Sequence, residues 1–288
     1  MTTLRARPRI LGIRLPSLGR AVTILVLVVV MVAVLVPIAW AVLGSLKSET
    51  EYRDLPVHLL PRHVTFEAYA TVLGTGGLPR AFLNSVIVST VEVLSVLLTS
   101  SVAGYVFARK MFWGRDALFM FVLASTMVPF TMLLIPLYLQ FTNLGIENNL
   151  LSVALPTAVS AYGIFLCRQF IGGIPRDLFE SAMIDGATDL QVYRRIVLPL
   201  ARPVLSALAI FTLIGSINDL LWPLVILNDR DLFTLPLALA SYVRNGEDVV
   251  FTNILAAAIV SSIPLVVAFL FLQRNFVKGI SLTGLGGR

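Results

Sequence analysis

Six apolar stretches dominate this chain of 288 residues. Each carries at most one charged residue and, as a helix, is long enough to cross the roughly 30 Å hydrocarbon core of a bilayer. The stretches are residues 21–44, 82–108, 117–139, 148–171, 203–227 and 252–273. Hydrophobic residues make up 57% of the chain and charged residues only 13%, far from the composition of a soluble domain. The sequence therefore predicts an all-α polytopic membrane protein with six transmembrane helices in one domain, residues 21–275.

Basic residues are divided unevenly between the segments that separate these stretches. Sixteen of the 22 Lys and Arg residues fall on the side of the two termini and six on the other side. Because basic loops stay on the cytoplasmic side, an N-terminal basic arm, residues 1–20, and a C-terminal tail, residues 276–288, are predicted to be cytoplasmic. The scatter of these charges among loops argues against a nucleic-acid-binding face. Ala-Trp-Ala at 39–41 resembles a cleavage site, but the long apolar run before it predicts an uncleaved anchor.

The sequence lacks the motifs of a metal site or an enzyme. It has one cysteine, Cys167, and two histidines, His58 and His63, with no third ligand spaced to join them. The phosphate-binding pattern GxxxxGK[ST] does not occur, and neither do GxSxG and HExxH. We therefore expect no catalytic residue, no metal and no cofactor in this chain.

A polar segment, residues 174–200, interrupts the apolar pattern on the predicted cytoplasmic side. Asp177 and Glu180 have the spacing of a capping box at the start of a short helix. Gly186 is the residue type that can close such a helix in the left-handed conformation. The apolar face of this helix is predicted to consist of Leu178, Phe179, Ala182 and Met183.

A second short helix is predicted directly after that turn. Thr188 and Gln191 offer another capping box, and Pro199 is expected to stop the helix before Pro203 opens the fifth apolar stretch. Helices this short are marginal when they stand alone in water. Their apolar faces must therefore pack either on the ends of this protein's own spans or in a groove of a soluble cytoplasmic partner.

The sequence ESAMIDGATDLQVYRRIVLP, residues 180–199, resembles the EAA motif of ABC importer permeases. The positions that match the motif are Glu180, Ala182, Gly186, Ile196, Leu198 and Pro199. Asp185 and Ala187 belong to the sequence IDGA, which is also typical, and Ser181 stands where the family usually has Ala. Four further stretches resemble carbohydrate-importer permeases of the maltose type: FLNSVIVS at 82–89, INDLLWPLVIL at 217–227, TLPLALASY at 234–242 and QRNFVKGISLTG at 273–284.

This resemblance implies a type I ABC importer permease fold in the bacterial inner membrane, surrounded by lipid. The implied partners are a second permease, which forms a heterodimer with this chain, two cytoplasmic ATPase subunits that bind ATP and Mg, and an extracytoplasmic solute-binding protein. The EAA residues would then be the ATPase-coupling site. Glu180 and Asp185 would meet basic groups of the ATPase, while Leu178, Phe179 and Met183 would be buried against it.

Two acidic residues lie within apolar stretches, Glu92 in the second and Asp219 in the fifth. A charged side chain at mid-bilayer costs about 2.5–3.5 kcal/mol on insertion scales, so it usually faces a cavity or a partner. Asp219, with Asn218 and Trp222 beside it, is a candidate to line the path of a sugar or polyol, or else to order a helix interface. An ion-coupled secondary transporter that uses Glu92 and Asp219 is the alternative, which the coupling segment disfavours. These residues do not identify the transported solute, and they do not exclude a phosphorylated polyol such as glycerol phosphate.

Overall fold

The computed structural model describes residues 18–74, 77–244 and 249–284, and the regular structure in these ranges is helical, with no strand. In chain order the α-helices are α1 (Leu18–Ser45), α2 (Glu49–Arg53), α3 (Glu67–Gly74), α4 (Leu78–Arg109), α5 (Arg115–Ser125), α6 (Phe130–Asn143), α7 (Leu150–Ala154), α8 (Ala161–Gly172), α9 (Asp177–Ile184), α10 (Asp189–Val192), α11 (Leu198–Leu200), α12 (Arg202–Asn218), α13 (Leu221–Ile226), α14 (Leu235–Arg244) and α15 (Phe251–Gly284). Two 3-10 helices (Leu155–Thr157 and Arg230–Leu232) and one π-helix (Tyr193–Val197) complete the fold. The all-α prediction is confirmed.

The six predicted apolar stretches fall on helices, but three of the stretches are broken. Both α1 and α4 are long and apolar enough to cross a membrane as single helices. Residues 117–139 are instead divided between α5 and α6, and the chain bends by 95° between these helices. Residues 148–171 are divided between α7, with its 3-10 extension, and α8, and the bend there is 47°. Residues 203–227 are divided between α12 and α13. The prediction of one continuous helix per stretch is therefore wrong for these three.

Local backbone chemistry explains where the three breaks fall. Pro129, at the N-cap of α6, is extended and has no N–H to continue the preceding helix. Ser160 is extended as well, and its hydroxyl caps the N-terminus of α8. Asp219 closes α12, and its Oδ1 accepts a hydrogen bond of 3.1 Å from Leu221 N at the start of α13. Each break is thus the beginning of a new helix, and a side chain caps two of the three, a feature that mean hydropathy does not report.

Helix α4 is the centre of the bundle and packs against α8 and α12. Its contact with α8 is tight because glycines lie there. A Cβ added at Gly104 would lie 2.5 Å from Cβ of Cys167, and one added at Gly163 would lie 2.4 Å from Oγ of Ser100. Close backbone approach at small residues is the usual basis of helix association in lipid. The α4–α8 pair is therefore the rigid part to which other elements attach.

The starts of α4 and α15 lie in a buried cluster with α3 and α14, at the end of α4 that is predicted to face outward. Helix α2 joins this cluster through Glu49. One carboxylate oxygen of Glu49 accepts hydrogen bonds from the backbone N and the hydroxyl of Thr252, at 3.0 and 3.1 Å, and the other pairs with Arg53 at 2.6 Å. The segment before α4 is thereby tied to the first turn of α15.

The two ends of the chain are described in part. Residues 1–17 of the predicted N-terminal arm and residues 285–288 of the predicted tail lie outside the described residues. Helix α15 runs over 34 residues without interruption. The sixth apolar stretch and the beginning of the predicted tail at residue 276 are therefore parts of one helix.

Candidate functional site

The segment 174–200 folds as two short helices around a glycine turn, as the sequence predicts. Helix α9 ends before Gly186, whose φ of +79° lies in the left-handed region that side chains disfavour. Helix α10 begins with a complete capping box. The Gln191 side chain accepts a hydrogen bond of 2.8 Å from Thr188 N, and the Thr188 hydroxyl accepts one from Gln191 N. The glycine turn and the second capping box are therefore confirmed.

Two local predictions for this segment are wrong. Asp177 is not a cap, because the helical conformation already includes Arg176, whose carbonyl oxygen accepts a hydrogen bond from Glu180 N at 3.1 Å. Pro199 does not stop the second helix. The chain continues through the π-helix Tyr193–Val197 into α11 and bends, by 73°, only before α12. The wider π turn accommodates a residue that has no backbone N–H to donate.

Helix α9 is attached to the membrane-spanning helices through Phe179. Its side chain is only 7% exposed, and its ring centroid lies 4.1 Å from the guanidinium carbon of Arg109, at the end of α4. This guanidinium also donates hydrogen bonds to the carbonyl oxygens of Ile171, at 2.7 Å, and Ile174. Phe179 therefore packs within its own chain, and the prediction that it contacts a partner is wrong, because Arg109 covers its ring.

The second half of the segment is attached to the same end of α4. Lys110, the residue that follows α4, forms an ion pair with Asp189. Further up the helix, the hydroxyl groups of Ser101 and Tyr193 share a hydrogen bond of 2.7 Å, and Val192 is buried between them and α8. Phe179 and these contacts therefore attach the segment to the end of α4 at several points.

Large apolar side chains of the segment are also exposed. Leu178 and Met183 are exposed, and Met183 shares with Phe179 the wall of a cavity of about 440 Å³ beside the end of α4. Ile184 is 86% exposed and Leu190 is also exposed, although the sequence singled out neither as a contact residue. A large aliphatic side chain directly before the Asp185-Gly186 turn is the signal that could have identified Ile184. We call Leu178, Met183, Ile184 and Leu190 the coupling surface.

The nine predicted coupling residues differ in their exposure to solvent. Exposed are Glu180, Ser181, Asp185, Gly186 and Pro199, whereas Ala182, Ala187, Ile196 and Leu198 are half-buried. A notch of about 460 Å³ separates α9 from the helix that follows. Its walls include Ala182, Asp185, Gly186, Ala187 and Ile196. The structure therefore brings five of the nine residues to one concave surface.

A second cavity, of about 370 Å³, lies where the three broken stretches meet. Phe130 begins α6, Thr157 and Ser160 flank the break before α8, and Asp219 ends α12. The rest of the wall consists of Glu92 and Val96 from α4 and of Thr212, Gly215 and Ser216 from α12. Irregular backbone at membrane depth is tolerated where it lines such a cavity. We call this site the break cavity.

Of the three predicted path residues, Asp219 lines the break cavity and Asn218 does not. Asn218 is exposed, and its amide donates a hydrogen bond of 2.7 Å to the carbonyl oxygen of Ile214. Asp219 also caps α13, so it both faces the cavity and orders a helix junction. Glu92, from the central helix, is only 5% exposed, and its carboxyl group faces the hydroxyl groups of Thr157 and Ser216.

Trp222 is a core residue, and its predicted place beside the solute is wrong. Its side chain is fully buried, and Nε1 donates a hydrogen bond of 2.9 Å to the carbonyl oxygen of Ser152. The break at Asp219 starts a new helix, which turns the indole into the core instead of the cavity. Phe130, which the sequence analysis did not single out, is the aromatic residue in the cavity wall. Its ring packs edge-on against Trp222, with 6.2 Å between the ring centroids.

The chain is similar in sequence to transport permeases. Residues 100–282 match the family model described as binding-protein-dependent transport system inner membrane component. The arabinooligosaccharides transport system permease protein AraQ of Halalkalibacterium halodurans is 35% identical, over 87% of this chain and 91% of its own length. The diacetylchitobiose uptake system permease protein NgcG of Streptomyces coelicolor is 32% identical, over 87% of this chain and 83% of its own length.

The fold is similar to that of a solved chain from a bacterial ABC transporter involved in the import of the acidic polysaccharide alginate. That chain superposes with a TM-score of 0.83, covering 91% of this chain and 99% of its own length, at 22% identity. The shared helices, the apolar stretches and the sequence matches agree on the assignment. The chain belongs to the family of binding-protein-dependent transport system inner membrane components, multi-pass permeases that work with other ABC transporter components.

Proposed function

We propose that this chain is the permease subunit of an ATP-driven importer that moves a carbohydrate or polyol inward by alternating access. The similarity to permeases for arabinooligosaccharides and diacetylchitobiose supports a hydroxyl-rich solute. The proposed assembly contains a second permease, two ATPase subunits that bind ATP and Mg, and an extracytoplasmic solute-binding protein. This chain then needs no cofactor and performs no catalysis itself. Both termini are proposed to be cytoplasmic, in keeping with the distribution of basic residues.

One observation carries the proposal: the segment 174–200 is fixed to α4 through Phe179 and Asp189 and also presents the exposed apolar side chains of the coupling surface. Exposed aliphatic side chains on a short helix are the form in which helices dock into grooves. Glu180 and Asp185 are exposed on the same segment and would meet basic groups of an ATPase. Closure of the ATPase dimer would then displace α9 and, through Phe179 and Arg109, the end of α4.

The break cavity supports the solute path. Hydroxyl and carboxyl groups line it, and Phe130 offers an aromatic face, which together suit a solute that presents hydroxyl groups and C–H faces. Because α4 forms one wall and also ends at Arg109, a displacement of the segment 174–200 reaches the cavity through a single helix. Asp219 remains the proposed path residue, now together with Glu92.

The proposal is tested at the glycine turn. Gly186→Val places a β-branched residue at φ +79°, a conformation that costs such residues about 1–3 kcal/mol. We expect ATP-driven uptake into vesicles to fall below about a tenth of the original rate, while the amount of chain in the membrane is unchanged. Gly145→Val is the matched control, because Gly145 has a φ of +65°, no atom near an added Cβ, and no place in the coupling segment.

Two outcomes would contradict the proposal. Uptake that persists when the ATPase subunits are deleted would show that the chain is not part of an ATP-driven importer. Equal uptake by Gly186→Val and Gly145→Val would show that the glycine turn has no part in coupling.

A further inference from the structure

The break cavity has acidic groups in its wall and, among the residues that the structure describes, no basic one. Its lining includes the carboxyl groups of Glu92 and Asp219 but no Lys, Arg or His. The ion pairs found in the described part of the chain join other acids, Glu49, Asp116, Asp189 and Asp231, to their cations. Within the described ranges, the two carboxyl groups in the cavity therefore have no cation beside them.

Hydrogen bonds hold the carboxyl group of Asp219 in position. Asp219 Oδ1 accepts from the backbone N atoms of Leu221, at 3.1 Å, and Trp222, at 3.4 Å. Glu92 lies in the same cavity wall, together with Thr157 and Ser216. Backbone donors favour the ionised form of a carboxyl group and orient it without cancelling its charge, so the field of Asp219 extends into the cavity that Glu92 also lines.

We propose that Glu92 and Asp219 form a charge filter in the solute path, which admits neutral or cationic hydroxyl-rich solutes and rejects anionic ones such as phosphorylated polyols and uronates. The inference rests on the proposed function, in which the solute passes the break cavity. A neutral sugar can donate hydrogen bonds to both carboxylates. A phosphate or carboxylate of a solute would instead be repelled by two like charges in a poorly screened space, which lowers its local concentration by roughly tenfold or more.

The cavity's charge can be measured without knowing the solute. A single reactive thiol is introduced by Thr212→Cys in the cavity wall, while the native Cys167 is fully buried. In membranes that contain the complete transporter turning over ATP, the thiol is treated with a cationic trimethylammonium methanethiosulfonate and with its anionic sulfonate analogue. The ratio of the two rates is divided by the ratio for a free thiol in solution. We expect the normalised preference for the cation to be roughly tenfold or more.

Neutral isosteres test whether the two acids cause this preference. Glu92→Gln with Asp219→Asn removes both charges, and the Asn side-chain oxygen can still accept the hydrogen bonds that start α13. We expect the normalised ratio to fall to within about twofold of unity. Asp231→Asn is the matched control, because it removes a carboxylate from the loop before α14, outside the cavity, and should leave the cationic preference unchanged.

A normalised ratio near unity in the Thr212→Cys chain would overturn the filter, and so would the absence of reaction with either reagent during turnover. ATP-driven uptake is measured on membranes that contain the unchanged chain, which separates the two ideas. Uptake with a ratio near unity would leave the importer in place and remove the filter. A high ratio that depends on Glu92 and Asp219, without any ATP-driven uptake, would support the acidic cavity and remove the proposed function.

Discussion

Replacement of Gly104 by Ala tests the close contact between α4 and α8. The added Cβ would lie 2.5 Å from Cβ of Cys167 and 3.0 Å from the backbone N of Arg168, whereas ordinary contacts are 3.4–4 Å. Neither neighbour is the tip of a flexible side chain, so relief requires the two helices to separate by about 1 Å. Because α4 and α8 together hold the segment 174–200, we expect both stability and uptake to fall.

The magnitude follows from two opposing contributions. Inserting a methyl group into a well-packed contact costs about 1–3 kcal/mol, and Ala in place of Gly in a helix returns about 1 kcal/mol. The net loss of about 0–2 kcal/mol corresponds to a midpoint of thermal unfolding that is lower by up to about 8 °C, at the 2–4 °C per kcal/mol typical of chains of this size.

Cys167 serves as the reporter of unfolding, since it is the single cysteine and is fully buried. A thiol-reactive fluorophore labels it as the protein is heated, and the labelled chain is read as a band on a gel. Gly172→Ala is the control on α8, because no atom lies within 4 Å of the Cβ it adds. If Gly104→Ala gives the same midpoint as this control, the argument that the α4–α8 contact requires glycine is refuted.

Two further predictions use the same assay. The pKa of Glu49 lies below its ordinary value of 4.5, because hydrogen bonds from Thr252 and Arg53 together outweigh burial, which alone would raise it. A carboxyl group whose pKa is lowered on folding stabilises the protein above its unfolded pKa and loses that effect as pH falls through the folded pKa. Glu49→Gln should therefore lower the midpoint at pH 7 and differ little from the unchanged chain near pH 3; an equal deficit at both values would contradict this. Trp222→Phe should cost about 1–3 kcal/mol by leaving the Ser152 carbonyl oxygen unpaired, with uptake per folded molecule preserved; lost uptake at unchanged stability would make Trp222 a path residue after all.

The features that the sequence predicted correctly are those that depend on one segment at a time. Partition of an apolar stretch into lipid depends on its own residues, so hydropathy located the helices. The left-handed turn at Gly186 and the capping box of Thr188 and Gln191 involve neighbours along the chain, and both are present. The sequence resemblance also led to the family, because the EAA motif is a contiguous stretch.

The errors concern side chains whose environment is made by other segments. Phe179 was assigned to a partner because α9 read alone presents it on an apolar face, yet Arg109 from α4 covers it. Trp222 was assigned to the solute path because it lies beside Asp219 in sequence, yet a new helix turns it toward the carbonyl oxygen of Ser152. Neither Arg109 nor Ser152 can be inferred as the contacting residue from local spacing, since both come from distant parts of the chain.

The sequence by itself determined that this protein is a helical membrane permease with a polar segment centred on a glycine turn, because partition into lipid and local capping are properties of single stretches. Only the tertiary structure decided that three of those stretches break at one cavity, and that Glu92 and Asp219 share its wall with Phe130. The physical reason is that a cavity has no contiguous sequence. Its charge arises only when helices distant in the chain pack around one space and bring two carboxyl groups into its wall, where the described residues place no cation.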